Sequence, residues 1–349
     1  MKSKTMFKQM LMVILLMIVI GCSDFLFDSG RKTDIWYNIT PNETDLYTDV
    51  YFINKMEGWV AGKTRCRKND PCPGWSSVVY HTKDGGKNWR RVLITAAIGG
   101  LNSVHFFDNL TGIAMRRNVY RTDDGGASWI EVTKLAGSPI VRDIEVDDQS
   151  IIWAGAQDSE IGGAVVLNSE DGLKTWKVLD DSFRKGGVYL SISAPTPTTI
   201  YAAGFSTPSK ALLVKTRNAG ETWEDVPLPG NTDGEGERYY CIDFVDESTG
   251  WLGGLFGAIY HTTDGGETWR NLDTGSRSAA IYDIDAIDTG HIVAVTSDGK
   301  ALVTKDGGNT WDEHTIGGSE HPYGRVQYYE SGVVFAVGNG VAFTARLSY

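Results

Sequence analysis

The sequence has few cysteines, few prolines and no excess of basic residues. Its 349 residues include 4 Cys and 10 Pro, and so few Cys exclude a scaffold held together by disulfides. Lys and Arg number 33 against 44 Asp and Glu, so the formal net charge is −11. This balance argues against binding to the phosphate backbone of nucleic acids, because that requires a basic surface.

Glycine and aromatic residues are abundant instead. The chain has 41 Gly, 11% of its residues are Phe, Trp or Tyr, and 41% are hydrophobic. This composition excludes an intrinsically disordered chain. Many Gly and aromatic residues with few Pro are typical of short strands joined by tight turns.

The beginning of the chain is typical of an export signal. Lys2, Lys4 and Lys8 precede the apolar run Met10–Ile20. This run of 11 residues is too short to span a bilayer, which takes about 20. A basic segment followed by a short apolar one predicts export from the cytoplasm.

The run ends in Gly21–Cys22, which resembles the lipobox of bacterial lipoproteins. We therefore predict a signal peptide over residues 1–21, with Cys22 lipidated at the mature N-terminus and a tether over residues 22–33. The alternative is an ordinary signal peptide with an incidental Cys. Lipidation would anchor the protein to the bacterial cell envelope, on its periplasmic or surface side.

One motif, with the consensus S/T-x-D-x-G-x-T-W, recurs six times at steps of 40 to 47 residues, the period of one four-stranded propeller blade. It resembles the Asp box, or BNR repeat. Asp accepts hydrogen bonds in a tight turn, Gly supplies positive φ, and Trp packs between sheets. The motif therefore predicts a fold rather than an activity. Its third and last residues are Asp84, Asp124, Asp171, Asn218, Asp264 and Asp306, and Trp89, Trp129, Trp176, Trp223, Trp269 and Trp311.

The segments between the motifs supply the other strands of each blade. Seven of them alternate apolar and polar residues as inner strands, from Asp49–Phe52 to Arg325–Tyr328. Since only six motifs are present, the seventh blade lacks a fourth strand. We predict that Ile35–Ile39 supplies it and closes the ring, because closure removes open sheet edges. The expected fold is a single all-β, seven-bladed propeller over residues 34–349.

The pattern F-x-x-x-x-x-G-W-x-x-G followed by T-x-D-G-G-x-T-W is similar to the photosystem II stability/assembly factor family of BNR-like propellers. The similarity covers residues 34–349. It implies the propeller fold and a non-enzymatic scaffold role. Known members of the family are assembly factors of photosynthetic membranes and have a basic partner-binding face.

Loop lengths favour one face of the propeller for binding. Connections between second and third strands share a face with the connections between blades, while the motif turns lie on the opposite face. In blade one, 22 residues separate Gly62 from Asp84, but the equivalent distance in blade five is 10. Long insertions usually mark the binding face. The candidate contact residues there, each otherwise an ordinary solvated residue, are Arg65, Arg67, Lys68, Trp75, Arg184, Arg238, Tyr239 and Tyr323.

Cys66 and Cys72 close a small loop within the longest insertion. In an oxidising compartment this spacing predicts a disulfide. A zinc site would need two more ligands at a suitable spacing, so we predict no metal site.

Polar residues alternate with apolar ones along the inner strands. If they face the central channel, they form an acidic ring that could hold a cation or a basic peptide. The alternative is a hydrated channel whose carboxylates have local hydrogen bonds. The residues concerned are Asp49, Asp143, Glu145, Asp243, Asp283, Asp285, His105 and Arg325.

No catalytic residues are predicted. Asp boxes occur in sialidases and other glycoside hydrolases, but the chain lacks an Arg-Ile-Pro motif, a phosphate loop, a nucleophile elbow and an HExxH motif. Glycoside hydrolysis by two carboxylates remains a formal alternative, because acidic residues are abundant.

The expected function is therefore that of a membrane-anchored, monomeric scaffold without a cofactor. It would bind an envelope or membrane protein through the face with the long loops, and no nucleic acid. One alternative is a surface lipoprotein that binds glycans, with Trp75 and Tyr323 stacking on sugars. The other is a glycoside hydrolase.

Overall fold

The computed structural model describes most of the chain from Trp36 to Leu347. The described residues are 36–65, 74–95, 99–135, 139–147, 151–158, 160, 162–179, 184–207, 210–229, 237–275, 279–317, 324–329, 332–338 and 340–347. They form seven antiparallel sheets, each built around four strands. In these residues no helix is long and apolar enough to cross a membrane.

The sheets are the blades of a propeller, and each of the first six uses consecutive strands. Blade one contains β2 (Leu46–Phe52), β3 (Gly58–Arg65), β4 (Trp75–Thr82) and β5 (Arg90–Thr95). Blade two contains β6 (Ser103–Phe106), β7 (Gly112–Met115), β8 (Asn118–Thr122) and β9 (Ile130–Lys134). Blade three contains β10 (Ile140–Val146), β11 (Ile152–Asp158), β12 (Gly163–Ser169) and β13 (Lys177–Val178), with β14 (Arg184–Lys185) also paired to β12.

The next three blades repeat this order. Blade four contains β15 (Val188–Ser193), β16 (Ile200–Ser206), β17 (Lys210–Thr216) and β18 (Glu224–Asp225). Blade five contains β19 (Tyr239–Phe244), β20 (Gly250–Gly254), the 3-10 turn Leu255–Gly257, β21 (Ile259–Thr262) and β22 (Arg270–Leu272). Blade six contains β23 (Ile281–Ala286), β24 (Ile292–Thr296), β25 (Lys300–Thr304) and β26 (Asp312–Thr315).

Blade seven joins the two ends of the described chain. Its strands are β27 (Arg325–Tyr329), β28 (Val333–Gly338), β29 (Val341–Arg346) and the early strand β1 (Trp36–Asn38). The β1 strand pairs antiparallel with β29, with Tyr37 opposite Thr344. The backbone N–H of Ile39 adds a hydrogen bond of 2.8 Å to Ala342 O. The predicted seven-bladed ring, closed by an N-terminal strand, is confirmed.

The core consists of seven apolar clusters, each shared by two neighbouring blades. The sequence pattern F-x-x-x-x-x-G-W has its explanation here. In blade one, the Phe52 ring lies over Gly58, where a Cβ would overlap it, and stacks on Phe335 of blade seven with the centroids 3.4 Å apart. Trp59 points the other way and stacks on Phe106 of blade two, also at 3.4 Å. One motif thus fixes contacts on both sides of a blade.

All six predicted Asp boxes have the expected turn. In the first box, Asp84 Oδ1 accepts hydrogen bonds from Thr82 Oγ1 at 2.9 Å and from the Asn88 backbone N–H at 2.8 Å. Gly86 donates its backbone N–H to Thr82 Oγ1 at 2.9 Å. Fourth strands begin immediately after each box Trp rather than at it, and in blades three and four they are only two residues long.

Candidate functional site

The two faces of the ring can be assigned from backbone hydrogen bonds. In blade one, Gly85 of the Asp box donates its N–H to Met56 O, in the turn between the first two strands, at 2.8 Å. Gly125 makes the same bond to Leu110 O in blade two, and Gly265 to Ser248 O in blade five. The box turns therefore share one face with the first-to-second turns, as predicted. We call the other face, formed by the second-to-third turns and the connections between blades, the long-loop face.

Two of the predicted contact residues meet on this face in blade one. Arg65 is exposed at the end of β3, and its guanidinium carbon lies 5.3 Å from the centroid of the Trp75 ring. Lys63 Nζ lies 5.0 Å from the same ring. The indole is thus covered by two cations, an arrangement that stabilises both charges at the protein surface.

Of the other predicted contact residues, Arg238 lies in a different part of the ring. Arg238 immediately precedes β19, the first strand of blade five, and its guanidinium lies 4.7 Å from the Phe205 ring of blade four. Arg184 starts β14 and pairs with Ala164. Arg67, Lys68 and Tyr323 lie outside the described residues, as do Cys22 and the predicted disulfide of Cys66 and Cys72.

The prediction of Tyr239 as a contact residue is wrong. Tyr239 is completely buried, because strand alternation at the start of β19 turns its side chain into the cluster between blades four and five. Its hydroxyl donates a hydrogen bond to Pro229 O at 3.1 Å. The sequence prediction placed it on the face with the long loops, whereas it is the first residue of β19.

Sequence reasoning missed three arginines that lie close together among the described residues of the long-loop face. Arg116 and Arg117 form the short turn between β7 and β8, and Arg142 lies in a β-bulge near the start of β10. The Arg116 carbonyl accepts the Val141 N–H at 2.8 Å, which ties the two segments together. Burial lowers the pKa of Arg116, and the charges of Arg142 and Arg117 lower it further. These three residues, the arginine cluster, therefore concentrate positive charge on a chain whose net charge is −11.

Loop length was the wrong signal for finding this cluster. Blade two has a two-residue connection between its second and third strands, and this connection consists of Arg116 and Arg117. Two consecutive arginines at that repeat position were the sequence signal that could have predicted this part of the cluster. No sequence signal pointed to Arg142, because its orientation depends on a bulge that shifts the register between Val141 and Asp143.

The polar residues of the inner strands link neighbouring blades around the channel. Asp49 accepts the Val104 N–H at 2.7 Å, which joins blade one to blade two. Elsewhere in the ring, carboxylate or amide oxygens likewise accept backbone N–H groups of the next blade. These bonds are Ile192 N–H to Asp143 (3.0 Å), Ala286 N–H to Asp243 (2.8 Å), Val326 N–H to Asp283 (2.8 Å), Tyr328 N–H to Asp285 (2.6 Å) and Phe52 N–H to Gln327 (2.6 Å).

The channel environment changes the protonation of these groups. Burial raises the pKa of Asp49 and of Asp243 to about 7 and that of Asp283 to about 6. Burial and the nearby Asp243 charge raise the pKa of Glu145 well above its usual range. His105 is kept neutral, because burial lowers its pKa to about 3.

These contacts favour the second interpretation of the channel, local hydrogen bonds rather than a bound cation. The carboxylates accept backbone N–H groups of neighbouring strands, and Arg325 supplies positive charge beside Asp143 and Asp283. Among the described residues, no group of three or more His, Cys, Asp or Glu is arranged to hold a metal ion. The channel residues therefore connect the blades.

The fold and its repeats define the chain as a seven-bladed propeller of the BNR-repeat class. Residues 198–337 match the family described as photosynthesis system II assembly factor YCF48. The chain is 29% identical over 277 residues to the photosystem II assembly lipoprotein Ycf48 of Synechococcus sp. strain CC9902, covering 75% of this chain and 72% of that protein. It is 25% identical over 189 residues to the Ycf48 protein of Thermosynechococcus vestitus, covering 52% of this chain and 50% of that one. The chain is thus a BNR-repeat propeller that resembles the Ycf48 photosystem II assembly factors.

Solved structures agree on the fold. A structure of YCF48 bound to D1 peptide has a TM-score of 0.67 at 20% identity, covering 91% of this chain and 99% of that one. The GH74 xyloglucanase of Xanthomonas campestris has a TM-score of 0.57 at 13% identity, covering 79% of this chain and 55% of that enzyme. These likenesses show the propeller fold alone, and the same fold serves both binding proteins and enzymes.

Proposed function

We propose that this protein is a lipid-anchored, non-enzymatic assembly factor that binds an acidic segment of a membrane or envelope protein through its long-loop face. The observation that carries the proposal is the arginine cluster of Arg116, Arg117 and Arg142, together with the cation-covered Trp75 on the same face in blade one. Guanidinium groups pair with carboxylates in a bidentate manner, so a carboxylate-bearing partner segment fits this surface.

The comparisons support a protein as the partner. The relatives named above are assembly factors, and one similarly folded protein has been solved with a bound peptide. The Synechococcus relative is also named a lipoprotein, which supports the proposed lipid on Cys22.

A glycan-binding surface is less well supported. Sugars stack on open aromatic faces, but Lys63 and Arg65 both lie over the Trp75 ring. A role in glycoside hydrolysis has similarly little support. The channel carboxylates are engaged with backbone N–H groups of neighbouring blades, an arrangement that holds sheets together rather than protonating a glycosidic oxygen.

The test is a pull-down from detergent-solubilised membranes of the source cell, with three versions of the full chain. The first is the wild type, and the second carries Arg65→Glu and Arg117→Glu, both exposed on the long-loop face. The third carries Lys55→Glu and Lys87→Glu, which make the same charge change on the opposite face. We expect the wild type and the third version to retain one partner protein and the second to lose it.

The salt dependence of this capture provides a second readout, because exposed charge pairs weaken as ionic strength rises. Melting temperatures of the three versions establish that all are folded. Equal capture by all three versions, or capture by none of them, would contradict the proposal.

Lipidation is tested separately with Cys22→Ala. The variant should move from the detergent phase to the aqueous phase in Triton X-114 partitioning and lose the mass of the acyl groups. Unchanged partition and mass would rule out a lipid on Cys22.

A further inference from the structure

A second feature of the long-loop face lies in blade five, whereas the arginine cluster lies in blades two and three. It is a cavity of about 490 Å³. Its walls are formed by the turn between β20 and β21, by the end of β22 and by Glu237, which precedes β19 in sequence. Its lining includes Glu237, Phe256, Tyr260 and Asp273.

Phe256 lies at this cavity with an exposed side chain and a backbone conformation that is unfavourable for an aromatic residue. Its side chain is 65% exposed, the highest fraction among the exposed large hydrophobic residues of the described chain. Its backbone is left-handed, with φ 60° and ψ 29°, a region that Gly or Asn adopts more readily. The turn is fixed by two hydrogen bonds, Ala258 N–H to Leu255 O at 3.1 Å and Leu255 N–H to Arg238 O at 3.2 Å. Neither burial nor backbone preference explains an aromatic residue here, and such residues cluster at binding sites.

Two acidic side chains share this cavity with the Phe256 ring. Glu237 and Asp273 both line the cavity, and in the part of the chain that the structure describes neither takes part in an ion pair. Arg238, adjacent to Glu237 in sequence, has its guanidinium against Phe205 of blade four instead. Burial raises the pKa of Tyr260, and the charge of Glu237 raises it further, so the negative field reaches the cavity wall.

We propose that this cavity binds an arginine side chain presented by a partner polypeptide. Its guanidinium would pair with the Glu237 and Asp273 carboxylates, and its flat face would lie against the Phe256 ring. Arginine fits better than lysine because a planar guanidinium both stacks on aromatic rings and pairs with carboxylates. The long-loop face then has a basic region in blades one to three and an acidic, aromatic one in blade five. This inference goes beyond the proposed function and does not require it.

The test uses saturation-transfer NMR with the full chain in detergent and the peptide acetyl-Gly-Arg-Gly-amide. The same peptide with citrulline has nearly the same shape and no charge, so it is the matched control ligand. We expect the arginine peptide to bind about tenfold more tightly than the citrulline peptide. The double variant Glu237→Gln, Asp273→Asn should remove that difference, and addition of salt should reduce it.

Phe256→Gly separates binding from folding, because glycine relieves the left-handed backbone while deleting the ring. It should therefore bind the arginine peptide about tenfold more weakly and melt no lower than the wild type. Leu110→Ala removes an exposed apolar side chain on the opposite face and should leave binding unchanged. The Arg65→Glu, Arg117→Glu variant should also bind normally, so this proposal and the proposed function can fail independently.

Three results would overturn the inference. The first is equal affinity for the arginine and citrulline peptides. The second is undiminished binding by the Phe256→Gly variant. The third is concentration-dependent self-association that Phe256→Gly abolishes, since a second copy of this chain would then be the occupant of the cavity.

Discussion

The guanidinium of Arg325 lies 3.0 Å from the carboxylate of Asp143, so blade seven contacts blade three across the central channel. The same guanidinium lies 3.1 Å from Asp283 of blade six, and its Nη2 donates to the carbonyls of Arg142 and Leu190 at 3.3 and 3.5 Å. The two accepting carbonyls belong to bulges in β10 and β15. One buried cation therefore connects four blades and offsets the charge of two carboxylates.

Replacing Arg325 tests its contribution to stability. Arg325→Met keeps much of the side-chain volume but leaves Asp143 and Asp283 buried without their counter-charge. Breaking a buried ion pair in this way costs about 3–5 kcal/mol in the free energy of unfolding. Urea denaturation at pH 7 measures it. Arg346→Met, at an exposed position of the same blade, is the control and should change stability by less than about 0.5 kcal/mol. Equal stability of the two variants would contradict this assignment.

Because the pKa values of the channel carboxyls are raised, we expect the stability of the folded protein to fall as pH rises. Their pKa values of about 7 for Asp49 and Asp243 and about 6 for Asp283 lie above the value of about 4 of an unfolded chain. The folded state therefore binds more protons between pH 4 and 7, and their contribution is complete below pH 4 and lost as pH rises through 7. Thermal melts should give a higher Tm at pH 5 than at pH 8. A Tm that rises from pH 5 to pH 8 would contradict this reasoning.

A neutral substitution in the channel tests the origin of that pH dependence. Glu145→Gln removes a carboxyl whose pKa is raised by burial and by Asp243. The variant should be more stable than the wild type at pH 8 and show a smaller change between pH 5 and pH 8. Glu221→Gln, exposed in a box turn, should leave the curve unchanged. Identical effects of the two variants would mean that channel burial is not the cause.

The Asp boxes offer an internal comparison, because the fourth box has Asn218 in place of Asp. Asn218 Oδ1 accepts the Thr222 N–H at 2.9 Å, and its Nδ2 donates to Thr222 Oγ1 at 2.9 Å. In the fifth box, Asp264 accepts from both groups of Thr268, at 2.9 and 2.6 Å. Asp264→Asn should therefore be nearly neutral, whereas Asp264→Ala should cost about 1 kcal/mol in the free energy of unfolding. Equal losses in urea denaturation would contradict this account of the turn.

Ring closure is tested by deleting residues 34–40. The deletion removes β1 together with Ile39, whose carbonyl accepts a hydrogen bond of 2.6 Å from Trp89 Nε1 of blade one. It exposes the edge of β29, so the Tm should fall by about 5 °C or more and aggregation should increase. A deletion of equal length over residues 24–30 controls for chain length. A Tm unchanged by the first deletion would refute closure through β1.

Much of the fold could be predicted because it repeats. The hydrogen bonds of an Asp-box turn join residues at most four positions apart, so Thr82 and Asp84 predict their turn without reference to distant parts of the chain. The closing strand could also be predicted, since a blade with three strands needs a fourth. Boundaries were less certain, and the buried position of Tyr239 at the first residue of β19 shows the consequence.

The candidate sites could not be predicted in the same way. The proximity of Arg116 and Arg142 depends on the packing of two blades and on a bulge. The cavity beside Phe256 depends on a left-handed turn that the residue type does not favour. Loop length favoured blade one, whereas two of the arginines form the two-residue connection of blade two.

By itself, the sequence determined the number of blades, their order, the box turns and the strand that closes the ring. These features depend on local hydrogen bonds and on a repeat period, both of which can be read along the chain. Only the tertiary structure decided which charged residues meet. Residues such as Asp143 and Arg325 are 182 positions apart in sequence, and their pairing depends on how seven sheets pack around one channel.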